Sequence, residues 1–185
     1  LGTTIDDACG EAFDKVAKHY GFGYPGGVMI DRLAQNGDPK AFSFPDPSLK
    51  KGAHRYDVSY SGLKTAVINQ LDQFWDEESK KSDENIAASF QHAAIGMLVT
   101  RIERAVRDTG ISTLVLGGGV AANSLLRARL NALDGLDVYF PSLPMCTDNG
   151  AMIAGIGYHY LSRGEDSGLD LNAYPRVEGF RKTYP

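Results

Sequence analysis

Apolar and polar side chains follow one another along this chain mainly with the spacing of amphipathic helices. Apolar positions recur at that spacing over residues 4–20, and Thr4 precedes the stripe as a candidate N-cap. After the glycine-rich break GFGYPGG, the pattern predicts a second helix over 28–34 and a third over 63–75. Ser82 is a candidate N-cap for a long fourth helix, whose first turn is acidic. The pattern therefore predicts a chain dominated by helices.

Shorter runs with strand character lie between these helices. Residues 42–44 and 56–60 alternate apolar and polar side chains, which predicts a two-stranded ribbon. Residues 113–116 form a β-branched and leucine run typical of a buried strand, and 138–140 predict a second short strand. A last helix, rich in glycine and alanine, is predicted over 151–161. Together these elements predict a helix-rich α/β fold.

Three consecutive glycines, Gly117, Gly118 and Gly119, follow the strand predicted at 113–116 and precede another helical pattern. A strand, a glycine turn and a helix direct free backbone N–H groups and a positive helix end at an anion. Glycines also let a phosphate or ribose approach the backbone, because no Cβ stands in the way. The spacing matches neither the dinucleotide fingerprint nor the P-loop, so a plain tight turn is an equal alternative. Asn123 either reaches a ligand held by the glycines or only caps the helix.

Carboxylates near the front of the chain allow two interpretations. Asp31 lies on the second predicted helix, one turn after Gly27, where it can accept hydrogen bonds from ribose hydroxyls. The alternative is that it pairs with Arg32 or faces solvent. Asp14 belongs to an acidic stripe on the first helix, and such stripes are usually solvated faces. The residues alone leave both interpretations open.

Asp148 stands just before the last predicted helix, where Thr147 or Asp148 is a candidate N-cap. The same carboxylate is a candidate metal ligand or catalytic group. A helix N-terminus repels a cation unless further ligands hold it. The chain contains no H-x-x-x-H, no H-E-x-x-H, no cysteine cluster and no G-x-S-x-G hydrolase elbow. A metal at Asp148 therefore requires ligands from another segment.

Composition narrows the class of protein. The 185 residues include 43% hydrophobic and 23% charged side chains, as in an ordinary globular domain. No apolar run approaches the ~20 residues of a membrane span, and no signal peptide is apparent. Cys9 and Cys146 are far apart, which favours a reducing compartment over a disulfide framework. Because Leu1 lies only a few positions before a predicted helix, we expect the chain to be the back part of a longer protein.

The net charge of −4 gives no general attraction to nucleic acid, so any RNA contact must be local or shared with other chains. The basic loop over 45–55 is a candidate for such a contact. The alternative is that this loop is mobile and solvated.

Five motifs stand in a fixed order along nearly the whole chain. They are TIDDACGEAFDK at 4–15, YPGG at 24–27, YSGLKTA at 60–66, GGGVAAN at 117–123 and CTDNGAMIA at 146–154. Together they closely resemble the tRNA N6-adenosine threonylcarbamoyltransferase (TsaD) family, formerly described as O-sialoglycoprotein endopeptidases or glycoproteases. Cys9 and Gly117 stand where alanine is more usual in that family.

The resemblance implies the carboxy-terminal part of an actin- and hexokinase-like (ASKHA) two-lobed fold. Under it, 1–110 would be a helical segment with a β-ribbon, 111–162 the nucleotide-binding end of the second lobe, and 163–185 a tail. The implied reaction transfers a threonylcarbamoyl group from L-threonylcarbamoyl-adenylate to N6 of the adenosine next to the tRNA anticodon, releasing AMP. The implied setting is the cytoplasm, with tRNA and TsaB-like and TsaE-like subunits as partners and no membrane.

The resemblance also assigns roles to individual residues. Asp148 would be catalytic as one ligand of a divalent metal, iron or zinc, which would polarise the carbamoyl or phosphate oxygens. The substrate-binding residues would be Asp14, Gly27, Asp31, Gly118, Gly119 and Asn123. Among them, Asp14 and Asp31 would take the ribose hydroxyls, and Gly27 would allow a close backbone approach.

Two features of the family are missing from this sequence. Its pair of metal-binding histidines and its first phosphate-contacting glycine loop belong to an amino-terminal half that these 185 residues do not include. We therefore expect the polypeptide to be inactive alone. A non-catalytic actin-like scaffold such as a TsaB-like subunit, and the metallo-endopeptidase of the older description, are the alternative functions.

Overall fold

The computed structural model describes residues 1–47, 52–73 and 81–172. The chain divides into two compact units, Leu1–Thr147 and Asp148–Pro185. The helices and strands are α1 (Cys9–Tyr20), α2 (Gly26–Ala34), α3 (Tyr60–Gln73), α4 (Asp83–Thr109), β1 (Thr113–Val115), α5 (Ser124–Asn131), β2 (Asp137–Tyr139) and α6 (Gly150–Ser162). Helices dominate, and β1 and β2 form a small parallel sheet. The predicted helix-rich α/β class is therefore confirmed.

α1 begins at Cys9, later than the apolar stripe predicts. The residues before it form an extended segment, in which the backbone N–H of Ile5 donates to the carbonyl oxygen of Val58 at 3.0 Å. The hydroxyl of Thr4 donates to the carbonyl oxygen of Asp7 at 2.6 Å, so it does not cap the helix. The predicted Thr4 cap is therefore wrong, because pairing with a distant segment outweighs the local helical pattern.

The predicted two-stranded ribbon is also wrong, since 42–44 and 56–60 do not pair with each other. The backbone N–H of Phe42 donates to Oγ of Ser89 on α4 at 3.1 Å. Val58 pairs instead with Thr4 in an isolated parallel bridge. In 42–44 the alternating pattern reflects a chain with one buried side, whereas residues 57–60 are all buried, and neither pattern identifies the partner.

α4 is the central helix of the first unit. α2, α3 and α5 pack against it, and α1 packs on α2 and α3. The rings of Phe13 on α1 and Phe90 on α4 meet edge to face with centroids 4.9 Å apart. The predicted Ser82 cap is confirmed, because its side chain accepts a hydrogen bond from the backbone N–H of Asn85 at 3.2 Å. Fully buried aliphatic side chains fill the core, namely Val16, Ile30, Leu63, Val67, Leu71, Ile95, Leu126 and Leu130.

β1 and β2 lie side by side, with Leu114 opposite Val138 in the centre of the pairing. The positions of the strands predicted at 113–116 and 138–140 are therefore confirmed to within a residue, but the prediction that the first is buried is wrong, because Val115 is 74% exposed. Leu114 and Val138 pack against the core, whereas the side chains on the other face are exposed. The chain between the two strands holds the glycine turn, a 3₁₀ turn at Gly119–Ala122 and α5.

The second unit is described over 148–172 and contains α6. α6 closely matches the helix predicted at 151–161, which is confirmed. Most of the predicted tail, together with Lys50 and Lys51 of the basic loop, lies outside the described residues. In the described ranges, no helix is both long and apolar enough to cross a membrane. The three-part division at residues 110 and 162 stays a prediction.

Candidate functional site

Asp31 is the point at which hydrogen bonds join three helices of the first unit. Its Oδ1 accepts from Nε2 of Gln91 at 3.1 Å, Nδ2 of Asn123 at 3.3 Å and Oγ of Ser124 at 2.7 Å. The backbone N–H of Ser124 lies 3.2 Å from Oδ1 and 3.3 Å from Oδ2. The carboxylate therefore connects α2 with α4 and with the start of α5. These partners take the place of the pairing with Arg32 that the sequence left open.

The two carboxylate oxygens of Asp31 are engaged unequally. Oδ1 faces the side chains of Gln91, Asn123 and Ser124 as well as one backbone N–H. Oδ2 shares only that N–H, at 3.3 Å. A carboxylate oxygen offers about two lone-pair directions, so Oδ1 is saturated while Oδ2 keeps capacity for another donor. Asp31 is half-buried, so part of its side chain is accessible to an external hydroxyl.

Asn123 serves both the helix and the Asp31 network. Its Oδ1 accepts a hydrogen bond from the backbone N–H of Leu126 at 2.9 Å, which makes it the N-cap of α5. Its Nδ2 donates to Asp31. The capping interpretation is therefore confirmed, and a ligand contact stays a prediction. Because the side chain is 9% exposed and bonded at both ends, its orientation is fixed.

The glycine turn is arranged differently from the expected direct passage into a helix. Gly118 has φ +81, which favours glycine, and the 3₁₀ turn Gly119–Ala122 separates it from α5. The N-terminus of α5 already receives an anion, the carboxylate of Asp31, through the N–H of Ser124. The expected free helix end for a phosphate is therefore wrong for α5. A Cβ built on Gly118 or Gly119 meets no atom within 4 Å, so open space lies in front of this backbone.

Asp14 fixes the beginning of α2 against α1. Its Oδ1 accepts a hydrogen bond from the backbone N–H of Gly26 at 2.7 Å. The two helices approach so closely that a Cβ on Gly26 would lie 2.6 Å from Cα of Asp14. A Cβ on the next residue, Gly27, would meet nothing within 4 Å. Gly26 is therefore required by packing, whereas Gly27 faces open space, as a position for a ligand must.

Asp14 also lines an open cleft of about 480 Å³ between α1 and the loop that leads to α2. This volume lies within the usual range for small-molecule sites, roughly 300–1,000 Å³. Lys15, in the same wall, lies 2.8 Å from a carboxylate oxygen of Asp7 and 2.8 Å from one of Glu11. Those carboxylates raise the pKa of Lys15, so it remains protonated. The cleft thus presents charges of both signs around Asp14.

The predicted substrate-binding residues lie on adjoining elements of the first unit. Asp14 is on α1, Gly27 and Asp31 are on α2, and α1 also contacts the 3₁₀ turn that follows Gly118. A direct hydrogen bond joins Asp31 to Asn123. The structure therefore brings these residues into one region, and their binding of a ligand stays a prediction.

Asp148 is the first residue of the second unit, and its side chain is exposed. The N-cap of α6 is Asn149, whose Oδ1 accepts from the backbone N–H of Met152 at 3.1 Å. The prediction that Thr147 or Asp148 caps this helix is therefore wrong. Among the residues that the structure describes, no three His, Cys, Asp or Glu side chains are grouped to hold a metal ion.

The described part of the basic loop is held by acidic partners. Nδ1 of His54 lies 2.8 Å from a carboxylate oxygen of Asp57, and Nη2 of Arg55 lies 3.6 Å from one of Asp108. The contact of Arg55 with Asp108 accounts for part of the positive charge that the sequence offered to RNA. An RNA contact at this loop stays a prediction.

Sequence reasoning missed Gln91, Ser124 and Gly26. The sequence does mark Gln91 as unusual, because it is a polar residue next to Phe90 on the apolar side of a long helix. Ser124 directly follows a strong N-cap residue, and the requirement at Gly26 arises only from the approach of α1. The partners of all three become visible only when the helices are packed.

Comparison with known proteins shows which family this chain resembles. The model of the family "TsaD: tRNA N6-adenosine threonylcarbamoyltransferase" matches residues 1–155. A protein of that name from Treponema denticola is 61% identical over 182 residues, covering 98% of this chain and 54% of the relative. A namesake from Borreliella burgdorferi is 51% identical over 185 residues, covering 100% of this chain and 53% of the relative. The chain thus spans about half the length of the relatives it matches.

Proposed function

Because this chain belongs to the tRNA N6-adenosine threonylcarbamoyltransferase (TsaD) family, we propose that it forms the carboxy-terminal part of such an enzyme. The proposed reaction joins the carbamoyl carbon of L-threonylcarbamoyl-adenylate to N6 of the adenosine beside the tRNA anticodon. The bond between that carbon and the phosphate oxygen breaks, AMP leaves, and N6 gives up one proton. The contribution of this chain is to bind and orient the adenylate.

The observation that carries the proposal is the hydrogen-bonded arrangement of Asp31, Asn123 and Ser124 beside the glycine turn. Three side-chain donors and the N–H of Ser124 fix Oδ1 of Asp31, which leaves Oδ2 as the acceptor for a ribose hydroxyl. A carboxylate held in this way needs no reorganisation when the ribose arrives, which favours binding. Asp31 is therefore proposed as the main ribose ligand.

The remaining substrate-binding residues are proposed to form the adjoining wall. Asp14 accepts from Gly26 through Oδ1 and would take a second ribose hydroxyl through Oδ2. Gly27, Gly118 and Gly119 have open space where a Cβ would stand, so a nucleoside can approach their backbone. Since Asp31 already occupies the N-terminus of α5, the glycine turn is assigned to the uncharged part of the nucleotide.

Asp148 is proposed as one oxygen ligand of a divalent metal, iron or zinc. When bound, such a metal acts as a Lewis acid on the carbamoyl or phosphate oxygens. The described residues do not by themselves fit this metal, because they provide no group of three His, Cys, Asp or Glu side chains. The other ligands are assigned to the amino-terminal half, and ribose binding by Asp14 and Asp31 does not depend on them.

The complete enzyme is proposed to have the two-lobed, actin-like ASKHA fold and to act in the cytoplasm. This chain would supply its carboxy-terminal part, with 111–162 as the nucleotide-binding end and 163–185 as a tail. tRNA and TsaB-like and TsaE-like subunits are the proposed partners. The half-length span relative to the Treponema denticola protein supports inactivity of the chain alone.

The experiment joins this chain to the amino-terminal half and supplies tRNA and threonylcarbamoyl-adenylate. We expect AMP release and modified adenosine in equal amounts. Asp31→Ala is expected to lower kcat/KM at least about tenfold, the effect of losing one hydrogen bond to a charged group. Asp134→Ala, on the chain between α5 and β2 and away from the Asp31 network, is the matched control and is expected to retain full activity.

Each alternative function has its own result. Peptide cleavage without modification of tRNA would favour the older endopeptidase description. Adenylate binding without transfer, even with all partners present, would favour a scaffold. Activity unchanged by Asp148→Ala would overturn the proposed metal ligand and would leave the ribose site standing.

A further inference from the structure

Gln91 is a buried polar residue within the apolar face of α4. It is 4% exposed and stands beside Phe90, which is fully buried. Its Nε2 donates to Oδ1 of Asp31 at 3.1 Å. Its Oε1 is buried and has no hydrogen-bond partner in the part of the chain that the structure describes. One end of this amide is therefore paired, and the other is not.

An unpaired buried acceptor destabilises a fold, and an apolar side chain of the same length would avoid that cost. The orientation of the amide follows from its partner, since only the NH₂ group can face a carboxylate. Gln91 is thus poorly explained by packing alone. What it supplies that methionine or leucine cannot is a donor directed at Asp31.

The direction of that donor matters for Asp31. Gln91 approaches Oδ1 from α4, while Asn123 and Ser124 approach the same oxygen from the start of α5. Donors from two elements hold Oδ1, whereas Oδ2 has only the shared N–H of Ser124. Without the α4 donor, all the remaining contacts come from the start of α5, and nothing holds Oδ1 from the side of α4.

We propose that Gln91 is a positioning residue for ribose recognition, which acts by fixing the carboxylate of Asp31 so that Oδ2 meets a ribose hydroxyl. This inference rests on the proposed function. It assigns to Gln91, a side chain in the helical core, a role in the preference for ligands that carry ribose hydroxyls. Gln91 does not touch the ligand itself, since both ends of its amide are buried or bonded to the protein.

The test uses the complete protein with its amino-terminal half and compares the binding of AMP with that of 2′,3′-dideoxy-AMP by calorimetry. The wild type is expected to prefer AMP by at least about tenfold, the effect of one hydrogen bond to a charged group. Gln91→Met keeps the length of the side chain and removes the donor. It is expected to lower the affinity for AMP about tenfold and to leave the affinity for the dideoxy analogue unchanged.

The matched control is Ser89→Ala on the same helix. Ser89 is buried and forms hydrogen bonds with the N–H of Phe42 at 3.1 Å and the carbonyl oxygen of Asp38 at 3.2 Å, and neither of these bonds involves Asp31. Its loss is expected to lower the melting temperature and to keep the full preference for AMP. A general structural role of buried polar groups on α4 would instead affect both ligands equally in both variants.

The outcomes separate this inference from the proposed function. If Gln91→Met retains the preference for AMP, the positioning role is wrong and the proposed function stands. If the wild type itself binds AMP and its dideoxy analogue equally, the proposed ribose site fails. Should Gln91→Met not fold, Gln91→Asn replaces it, because its shortened amide cannot reach Asp31 and the same loss of preference is expected.

Discussion

Oγ of Ser124 donates a 2.7 Å hydrogen bond to Oδ1 of Asp31, joining residues 93 positions apart in the sequence. This contact places a carboxylate at the N-terminus of α5, where the helix dipole favours negative charge. It also ties α2 to the first residue of α5. The same bond therefore stabilises the fold and sets the orientation of the candidate ribose ligand.

Replacing Asp31 is expected to destabilise the complete protein as well as weaken its ligand. Asp31→Ala leaves the donors of Gln91 and Asn123 without their acceptor, which should lower the free energy of unfolding by about 1–3 kcal/mol. Urea denaturation measures this change. Asp134→Ala, outside the network, should stay within about 0.5 kcal/mol of wild type. Equal stability of the two variants would contradict this hydrogen-bond network.

Adjacent glycines are expected to respond in opposite ways. Gly26→Ala places a Cβ 2.6 Å from Cα of Asp14, so α1 and α2 must move apart. This should lower the free energy of unfolding by about 1–3 kcal/mol or more. Gly27→Ala meets no atom within 4 Å and should leave the melting temperature nearly unchanged. It should nevertheless weaken AMP binding, because the added methyl group enters the space assigned to the ligand. A stable Gly26→Ala variant, or normal AMP binding by Gly27→Ala, would contradict this distinction.

The sequence predicts those elements of the fold that local interactions determine. α4 and its Ser82 cap follow from helical periodicity and one side chain, and β1 follows from a β-branched run. The start of α1 and the ribbon are wrong for a common reason. The pairing of Thr4 with Val58 spans the segment in between, and no local pattern identifies a partner so far away.

The same distinction between local and long-range contacts applies to the candidate site. Asn123 is visible as a cap because its partner Leu126 lies three positions away. The attachment of Asp31 to α5 and the close approach of Gly26 to Asp14 depend on how the helices pack. The motifs place these residues in a family, but the division of roles between Gly26 and Gly27 comes from three-dimensional contacts alone.

The ion pair of Arg101 and Asp46 is expected to contribute strongly to stability. Arg101 is 4% exposed, and its Nη1 and Nη2 donate to the two oxygens of Asp46 at 2.7 and 3.3 Å. Asp46→Ala leaves the buried guanidinium of Arg101 without its carboxylate partner, which should lower the free energy of unfolding by about 3 kcal/mol. Replacing both residues together, as Arg101→Met with Asp46→Leu, should recover much of the loss.

The exposed pair of Arg163 and Glu165 provides the control for that measurement. Their side chains are 61% and 55% exposed, so Glu165→Ala should change the free energy of unfolding by less than about 1 kcal/mol. If Asp46→Ala costs no more than Glu165→Ala in urea denaturation, the buried pair does not stabilise the fold as expected.

Cys9 is expected to be an unreactive thiol at neutral pH. Burial raises the pKa of Cys9 from its ordinary value of 9.0 to about 11. Near neutrality the folded protein should hold about a hundredfold less thiolate than a free thiol, and alkylation by iodoacetamide should slow accordingly. Labelling resolved by mass spectrometry, with urea-unfolded protein as the reference, measures this ratio. Reaction at the rate of the unfolded protein would contradict it.

The same shift predicts how stability depends on alkaline pH. As the pH rises, the unfolded state releases the Cys9 proton before the folded state does. The contribution of Cys9 to the free energy of unfolding is therefore complete below pH 9.0 and is lost as the pH rises toward about 11. Cys9→Ala removes the contribution of Cys9 and keeps that of Tyr20 and Tyr60, whose pKa values burial also raises, so it is the control in urea denaturation at each pH. An identical slope in the variant would show that another group is responsible.

The position of a bound ribose tests the central claim most directly. A crystal structure of the complete protein with AMP should place a ribose hydroxyl at hydrogen-bond distance, about 2.5–3.0 Å, from Oδ2 of Asp31. Oδ1 should keep its contacts with Gln91, Asn123 and Ser124 in that complex. A nucleotide bound elsewhere, or one whose ribose makes no contact with Asp31, would contradict the account.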